Sequence, residues 1–203
     1  DAATEMLLSG RRTVIILAGQ GTREAALATA GKIAAKTGTE LFMPALTPRA
    51  ANGAGRVPVT RIPYAWTLAA ETFKTVENII LVGGKAPVGF FAYPDKPSEH
   101  YAPGTRIHTL ARIDDDIPYA LEALADAVGA ARTVPQFSPL QPPAIPQGAI
   151  TPEKLGNVIA ALLPEQAIVV DESVSTGRNF INAARTAPPH DWLMPTGGSI
   201  GFA

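Results

Sequence analysis

The sequence contains no cysteine, so disulfide bonds and thiolate metal sites are excluded. It also lacks any apolar run near the ~20 residues that a membrane-spanning helix needs, and it shows no signal-peptide pattern. These absences predict a cytoplasmic protein without a membrane partner. The chain begins at Asp1 rather than at Met and stops within a glycine-rich turn. We therefore expect a piece of a longer protein.

Strong charge of either sign is also missing. Seventeen basic residues oppose eighteen acidic ones, and the net charge is −1. Because no basic run or patch marks a nucleic-acid surface, no nucleic-acid partner is expected. With 46% hydrophobic and 17% charged residues, the composition is that of a globular chain rather than a disordered one.

The first two thirds of the chain alternate strand and helix patterns. Apolar runs at residues 13–18, 41–46, 78–82 and 105–110 predict strands, and residues 24–34, 66–76 and 116–128 have helical spacing. Residues 47–63 read as an irregular stretch, and Gly38 is placed to end the first helix. Continuous apolar strands indicate a parallel sheet covered on both faces. We therefore predict a doubly wound, Rossmann-like α/β domain over residues 1–133.

A proline-rich segment separates this domain from the rest of the chain. Residues 134–150 are predicted to be an extended linker, and a proline-rich binding ligand is the weaker alternative. Beyond it, Thr151 is predicted to cap a helix that begins at Pro152, and residues 167–170 read as a buried strand. Residues 151–203 therefore form the first elements of a second, truncated α/β domain.

Two glycine turns follow strands of the first domain. Gly19-Gln20-Gly21 invites a dinucleotide interpretation, but Glu24 occupies the third glycine position, where a carboxylate would repel a pyrophosphate. We interpret this motif as a tight turn. Gly83-Gly84-Lys85 has the same interpretation, because it lacks the spacing of a phosphate-binding loop.

Other polar candidates favour structural roles. None of His100, His108 and His190 has a second histidine at metal-ligand spacing, and His108 reads as a packed strand residue. The acidic run at residues 114–116 is interpreted as a helix cap and solvated cluster rather than a cation site. We predict no metal ligand and no catalytic side chain within the chain.

The segment Asp171-Glu172-Ser173-Val174-Ser175-Thr176-Gly177-Arg178 is different. It follows a predicted parallel strand, at the edge of the sheet where α/β proteins bind ligands. Its hydroxyls and backbone N–H groups are the groups that cradle a phosphate. Loops of this composition also cap helices, so the motif by itself is a weak signal.

A family resemblance adds to this interpretation. Residues 171–176 and the Gly197-Gly198-Ser199-Ile200-Gly201-Phe202-Ala203 turn resemble the corresponding motifs of the thiamine-diphosphate-dependent decarboxylase and carboligase superfamily. Acetolactate synthase large subunits and benzoylformate decarboxylases are its relevant members. The resemblance implies that residues 1–133 are the family's central domain and that residues 151–203 begin its diphosphate-binding domain.

The same resemblance implies five cofactor-binding residues, namely Val174, Ser175, Gly198, Ser199 and Ile200. Val174 and Ser175 would contact the cofactor diphosphate through a backbone N–H and a hydroxyl. The carbonyl of Gly198 would accept a hydrogen bond from the aminopyrimidine, and Ile200 would support the bent cofactor from below. Val174 replaces the threonine of the decarboxylase loop, and Ser199 replaces a glycine, so these two positions depart from the family pattern.

The resemblance also implies what the longer enzyme would supply. The activating glutamate lies upstream of this segment and the Mg²⁺ site downstream, so the chain alone is expected to be inactive and to bind thiamine diphosphate weakly. The implied enzyme is a homodimer or homotetramer that acts on pyruvate or a related 2-oxo acid in an acetolactate-synthase-like reaction. A benzoylformate-type decarboxylase is the alternative. A further alternative is a non-catalytic module that binds a nucleotide or flavin or that serves in assembly. Because Glu24 breaks the glycine motif after the first strand, binding of FAD is disfavoured.

Overall fold

A computed structural model describes residues 2–173, 175–196 and 201, and the structural statements below refer to these residues. The chain forms two compact units. Residues 1–45 and 59–135 make up the first, and residues 46–58 and 136–203 make up the second. Residues 46–58 were predicted to belong to the first domain, but in the structure they pack with the second unit.

In chain order the elements are α1 (Ala2–Leu8), β1 (Thr13–Leu17), α2 (Glu24–Thr37), β2 (Glu40–Met43), β3 (Ala50–Asn52), β4 (Thr60–Arg61), α3 (Trp66–Phe73), β5 (Asn78–Val82), β6 (Arg106–Ala111), α4 (Ile117–Ala127), α5 (Pro152–Leu162), β7 (Ile168–Val170), α6 (Phe180–Ala183) and β8 (His190–Leu193). Short 3-10 turns lie at Gly19–Thr22 and Ala184–Thr186.

The first unit is built on a five-stranded parallel sheet with the strand order β4-β2-β1-β5-β6. The order reverses between β1 and β5, as it does in doubly wound α/β folds. The predicted fold class is therefore confirmed. Every residue of β1 and β5 is buried, because helices cover both faces of the sheet.

The core of the first unit lies on both sides of β1. Val14 and Ile16 belong to a buried cluster with Phe42 and Phe73, whose ring centroids are 5.2 Å apart. Ile15 alternates to the opposite face and is equally buried.

Local signals in the sequence set the ends of several helices. Gly38 adopts a left-handed conformation (φ +75°), and its N–H donates to the carbonyl of Ala34 at 2.8 Å, so the predicted C-cap is confirmed. Asp116 caps α4 by accepting a hydrogen bond from the N–H of Tyr119 at 3.0 Å. This bond confirms the capping interpretation of the acidic run.

The second unit contains a three-stranded sheet with the order β3-β8-β7. β7 runs parallel to β8, and β3 is antiparallel to it, with Ala51 opposite Asp191. α5 begins at Pro152, and the hydroxyl of Thr151 accepts from the N–H of Lys154 at 3.2 Å, as predicted for the N-cap.

Two expectations about residues 47–63 and 167–170 were wrong. The stretch at residues 47–63 is not wholly irregular, because it contains β3 and β4. The strand at residues 167–170 is not buried, since the side chains of Ile168 and Val170 are 68% and 50% exposed. β7 lies at the edge of its sheet and pairs on one side only within the described part of the chain.

Candidate functional site

The glycine turns of the first unit lie where its strand order reverses. A Cβ on Gly83 (φ +70°) would lie 2.6 Å from the carbonyl oxygen of Ala18, and one on Gly19 (φ +57°) would lie 3.3 Å from Ile113. The N–H of Ala18 donates to the carbonyl of Val82 at 2.9 Å. These glycines let the turns after β1 and β5 approach each other and take left-handed conformations. The structure therefore supports the tight-turn interpretation.

The loop after β7, residues 171–177, is held by the first residue in it. The N–H of Asp171 donates to the carbonyl of Leu193 at 2.9 Å, which places the start of the loop beside β8. One carboxylate oxygen of Asp171 accepts from the N–H of Ser173 at 2.9 Å and also from the Ser173 hydroxyl. The other accepts from the indole Nε1 of Trp192 at 3.1 Å. Both carboxylate oxygens are therefore engaged by residues of the same unit.

The far end of the loop depends on a glycine. The N–H of Gly177 donates to the carbonyl of Ser173 at 3.1 Å, so a hydrogen bond joins the two ends of the turn. A Cβ on Gly177 would overlap the Ser173 side chain and come within 3.0 Å of the ring of Phe180. Only glycine fits at this close approach, and the carbonyl of Gly177 then accepts from the N–H of Phe180 at 2.9 Å, where α6 begins.

The described part of this loop presents hydroxyl groups to solvent. Ser175 and Thr176 are exposed in the turn between Ser173 and Gly177. The other four predicted cofactor contacts, Val174, Gly198, Ser199 and Ile200, lie outside the described residues.

Sequence reasoning missed the contribution of Trp192. This side chain is 1% exposed, and its indole N–H reaches the carboxylate of Asp171 from the neighbouring strand. An indole N–H that is buried needs an acceptor. The acid directly after the strand was visible in the sequence, but its partner 21 residues away was not.

The buried histidines have structural surroundings. Nδ1 of His190 donates to the carbonyl of Pro188 at 2.7 Å, and its Nε2 lies 3.2 Å from Nδ2 of Asn52. Burial lowers the pKa of His190 below its usual value. Burial also lowers the pKa of His100, and neither ring nitrogen of His100 has a hydrogen-bond partner within the described residues. Among those residues no group of three or more histidines and acids could hold a metal ion.

These features define an α/β chain with a doubly wound parallel domain and a second unit whose hydroxyl-bearing loop follows a parallel strand. No helix within the described residues has the length and hydrophobicity to cross a membrane. No protein-family profile matches the sequence.

Comparison with curated proteins shows two relatives. The chain is 38% identical over 197 residues to a Mycobacterium tuberculosis protein assigned as the acetolactate synthase large subunit IlvX. This alignment covers 97% of the chain. It is 39% identical over 90 residues, or 43% of the chain, to benzoylformate decarboxylase of Pseudomonas aeruginosa. The chain spans only 38% and 17% of the lengths of these two relatives.

Solved structures show the same fold. A thiamine diphosphate-dependent 4-hydroxybenzoylformate decarboxylase of Rhodococcus jostii RHA1 aligns with 95% of this chain and 39% of its own, with a TM-score of 0.61 and 19% identity. A Mycobacterium smegmatis protein assigned as a thiamin diphosphate-dependent enzyme aligns with 95% of this chain and 40% of its own, with a TM-score of 0.64 and 18% identity. The curated relative that aligns with 97% of the chain confirms the resemblance to the thiamine-diphosphate-dependent decarboxylase and carboligase superfamily, and the solved structures show that the fold is shared.

Proposed function

We propose that this chain is part of a thiamine-diphosphate-dependent decarboxylase or carboligase that acts on a 2-oxo acid in an acetolactate-synthase-like reaction. The loop after β7 carries the proposal. It lies at the C-terminal end of a parallel strand and exposes Ser175 and Thr176, while its ends are closed by the hydrogen bond from Gly177 to Ser173. The 38% identity to the acetolactate synthase relative supports the choice of reaction.

The residues that the structure describes fit a diphosphate. A Cβ at Gly177 would overlap the side chain of Ser173, so the tight shape of the loop depends on glycine there. Exposed hydroxyls and backbone N–H groups in such a turn can donate to phosphate oxygens. When bound, thiamine diphosphate supplies the electron sink that the loss of CO₂ from a 2-oxo acid requires.

Each predicted contact has a separate task in this proposal. Val174 and Ser175 would hold the diphosphate, through a backbone N–H and a hydroxyl respectively. The carbonyl of Gly198 would accept a hydrogen bond from the aminopyrimidine. Ser199, which stands where the family has a glycine, would change the backbone approach to the cofactor, and Ile200 would support it from below.

The remaining parts of the proposed site belong to the longer protein. We propose that its other segments supply the activating glutamate and the ligands for Mg²⁺, and that it is a cytoplasmic homodimer or homotetramer. The chain alone is then expected to bind the cofactor weakly and to be inactive. Calorimetric titration of the isolated chain tests this, and micromolar binding of Mg²⁺ and thiamine diphosphate would contradict it.

A benzoylformate-type decarboxylase is the second candidate. The specific observation in its favour is the 39% identity over 90 residues to the Pseudomonas aeruginosa benzoylformate decarboxylase. The two candidates differ in substrate, because one takes pyruvate or a related aliphatic 2-oxo acid and the other an aromatic one.

The test is an assay of the complete protein with added Mg²⁺ and thiamine diphosphate. Release of CO₂ from pyruvate or 2-oxobutyrate is expected, whereas faster release from benzoylformate favours the second candidate. Ser175→Ala is expected to raise the half-saturating cofactor concentration about tenfold, the usual effect of losing one hydrogen bond to a charged group. Ser98→Ala, which alters an exposed serine of the first unit, is the matched control. Absence of cofactor binding by the complete protein would refute the proposal.

A further inference from the structure

The two segments with predicted cofactor contacts follow neighbouring strands. β7 leads directly into the loop that contains Ser175, and β8 leads, within a few residues, into the segment that contains Gly198. β7 and β8 are parallel, with Val169 opposite Trp192 and Val170 opposite Leu193. An interaction that fixes the ends of β7 and β8 relative to each other therefore also fixes the points at which the two segments begin.

One side-chain hydrogen bond crosses between these strand ends. Nε1 of Trp192 on β8 donates to the carboxylate of Asp171, the residue that follows β7, at 3.1 Å. Because Trp192 is almost fully buried, its ring cannot turn toward water, and its N–H points at a defined place. The indole therefore fixes the position of the carboxylate.

The carboxylate passes this order on to the loop. Its second oxygen accepts from both the N–H and the hydroxyl of Ser173, and the carbonyl of Ser173 accepts from the N–H of Gly177. A chain of hydrogen bonds thus runs from Trp192 through Asp171 and Ser173 to Gly177, and its last bond joins the two ends of the turn that contains Ser175. Hydrogen bonds to a charged group are stronger than neutral ones, which favours a single conformation of the loop.

Direct contact between Asp171 and a diphosphate is disfavoured by charge. Two anionic groups at close range repel each other, and both carboxylate oxygens already accept hydrogen bonds from the protein. The side chain therefore acts by holding the loop rather than by binding the ligand.

We propose that Asp171 and Trp192 are positioning residues that hold the loop around Ser175 in the conformation that binds the diphosphate of thiamine diphosphate. This inference rests on the proposed function. Preformed sites bind more tightly because the ordering of the loop no longer opposes binding. Loss of the bond from Trp192 to Asp171 therefore weakens cofactor affinity, while the chemistry of an enzyme saturated with cofactor is retained.

The test uses the complete protein and calorimetric titration with thiamine diphosphate in the presence of Mg²⁺. Trp192→Phe removes the indole N–H and keeps an aromatic ring, and Asp171→Asn removes the charge and keeps the shape. Each is expected to raise the cofactor dissociation constant about tenfold, as the loss of an outer hydrogen-bond partner does at other sites. The kcat at saturating cofactor is expected to stay within about twofold. Because the two residues act through one bond, their effects should not add. The dissociation constant of the double variant is expected to be no higher than that of the single variant with the higher value.

The first unit offers a matched control. Trp66→Phe also removes an indole N–H that donates a hydrogen bond, here to the carbonyl of Pro97 at 3.0 Å, and should leave cofactor affinity unchanged. If the wild type binds the cofactor and both Trp192→Phe and Asp171→Asn bind it equally well, the inference is overturned and the proposed function stands. If the wild type itself does not bind, the proposed function is refuted and the inference with it. Should Trp192→Phe fail to fold, Asp171→Asn alone decides between these outcomes.

Discussion

Asn52 and His190 lie opposite each other on β3 and β8, and Nδ2 of Asn52 is 3.2 Å from Nε2 of His190. Nδ1 of the imidazole donates to the carbonyl of Pro188, so Nε2 is left to accept from the amide. Nδ2 of Asn52 also donates to the carbonyl of Ile181 at 2.9 Å. The neutral histidine therefore helps to hold residues 46–58 against the rest of the second unit.

This arrangement predicts a loss of stability in mild acid. Burial lowers the pKa of His190 in the folded protein, so below about pH 6.5, the ordinary histidine value, the unfolded chain binds more protons than the folded one. Its contribution to stability is therefore complete above that pH and is lost as the pH falls through the lowered pKa. Denaturant unfolding of the complete protein at pH 7.5, 6.5 and 5.5 measures this loss.

His190→Gln should reduce the loss of stability between pH 6.5 and 5.5, and His100, whose pKa is also lowered by burial, should contribute to what is left. His108→Gln is the control, because that side chain is only partly buried on β6. An unchanged pH dependence in His190→Gln would contradict the prediction.

Gly53→Ala is expected to destabilise the second unit by about 3 kcal/mol or more. Gly53 has φ +98°, and an added Cβ would lie 2.5 Å from the carbonyl oxygen of Pro188 and 2.9 Å from Nδ1 of His190. Gly55→Ala is the matched control, since Gly55 also has a positive φ (+71°) but an added Cβ there would meet no atom within 4 Å, and its cost should be about 1 kcal/mol. Chemical denaturation compares the two variants, and equal losses would be inconsistent with the close packing at Gly53.

Gly177→Ala is expected to lower both stability and cofactor affinity. The added Cβ cannot fit against Ser173, so the loop around Ser175 must change its conformation. Gly156→Ala is the control, because its Cβ would lie 3.0 Å from the ring of Phe180 without contacting the loop. It should reduce thermal stability and leave the calorimetric affinity for thiamine diphosphate unchanged. Wild-type affinity in Gly177→Ala would refute the proposed role of the loop.

Asp116→Ala is expected to cost about 1 kcal/mol, the usual effect of removing an N-cap. The side chain accepts the N–H of Tyr119 at the start of α4, and alanine leaves that donor without its acceptor. Asp114→Ala, in the same acidic run and exposed, should change stability by less than about 0.5 kcal/mol. Equal effects in urea unfolding would argue against capping as the role of Asp116.

Local features of this protein could be predicted from its sequence. The strand at residues 78–82, the end of α2 at Gly38 and the caps at Asp116 and Thr151 were all predicted, because each depends on hydrogen bonds or side-chain patterns within a few residues. The composition of the loop at residues 171–178 likewise marked it as a phosphate-binding candidate. These signals are contained in short windows of sequence.

The tertiary structure alone decided which distant segments meet. β3 pairs with β8 although Asn52 and His190 are 138 residues apart, and Asp171 finds the indole of Trp192 on the adjacent strand. The exposure of Ile168 and Val170 was likewise invisible, since an apolar strand has the same pattern at the edge of a sheet as at its centre. Sequence periodicity records which face of an element is apolar. It does not record which element will cover that face, because that choice depends on the packing of the whole chain.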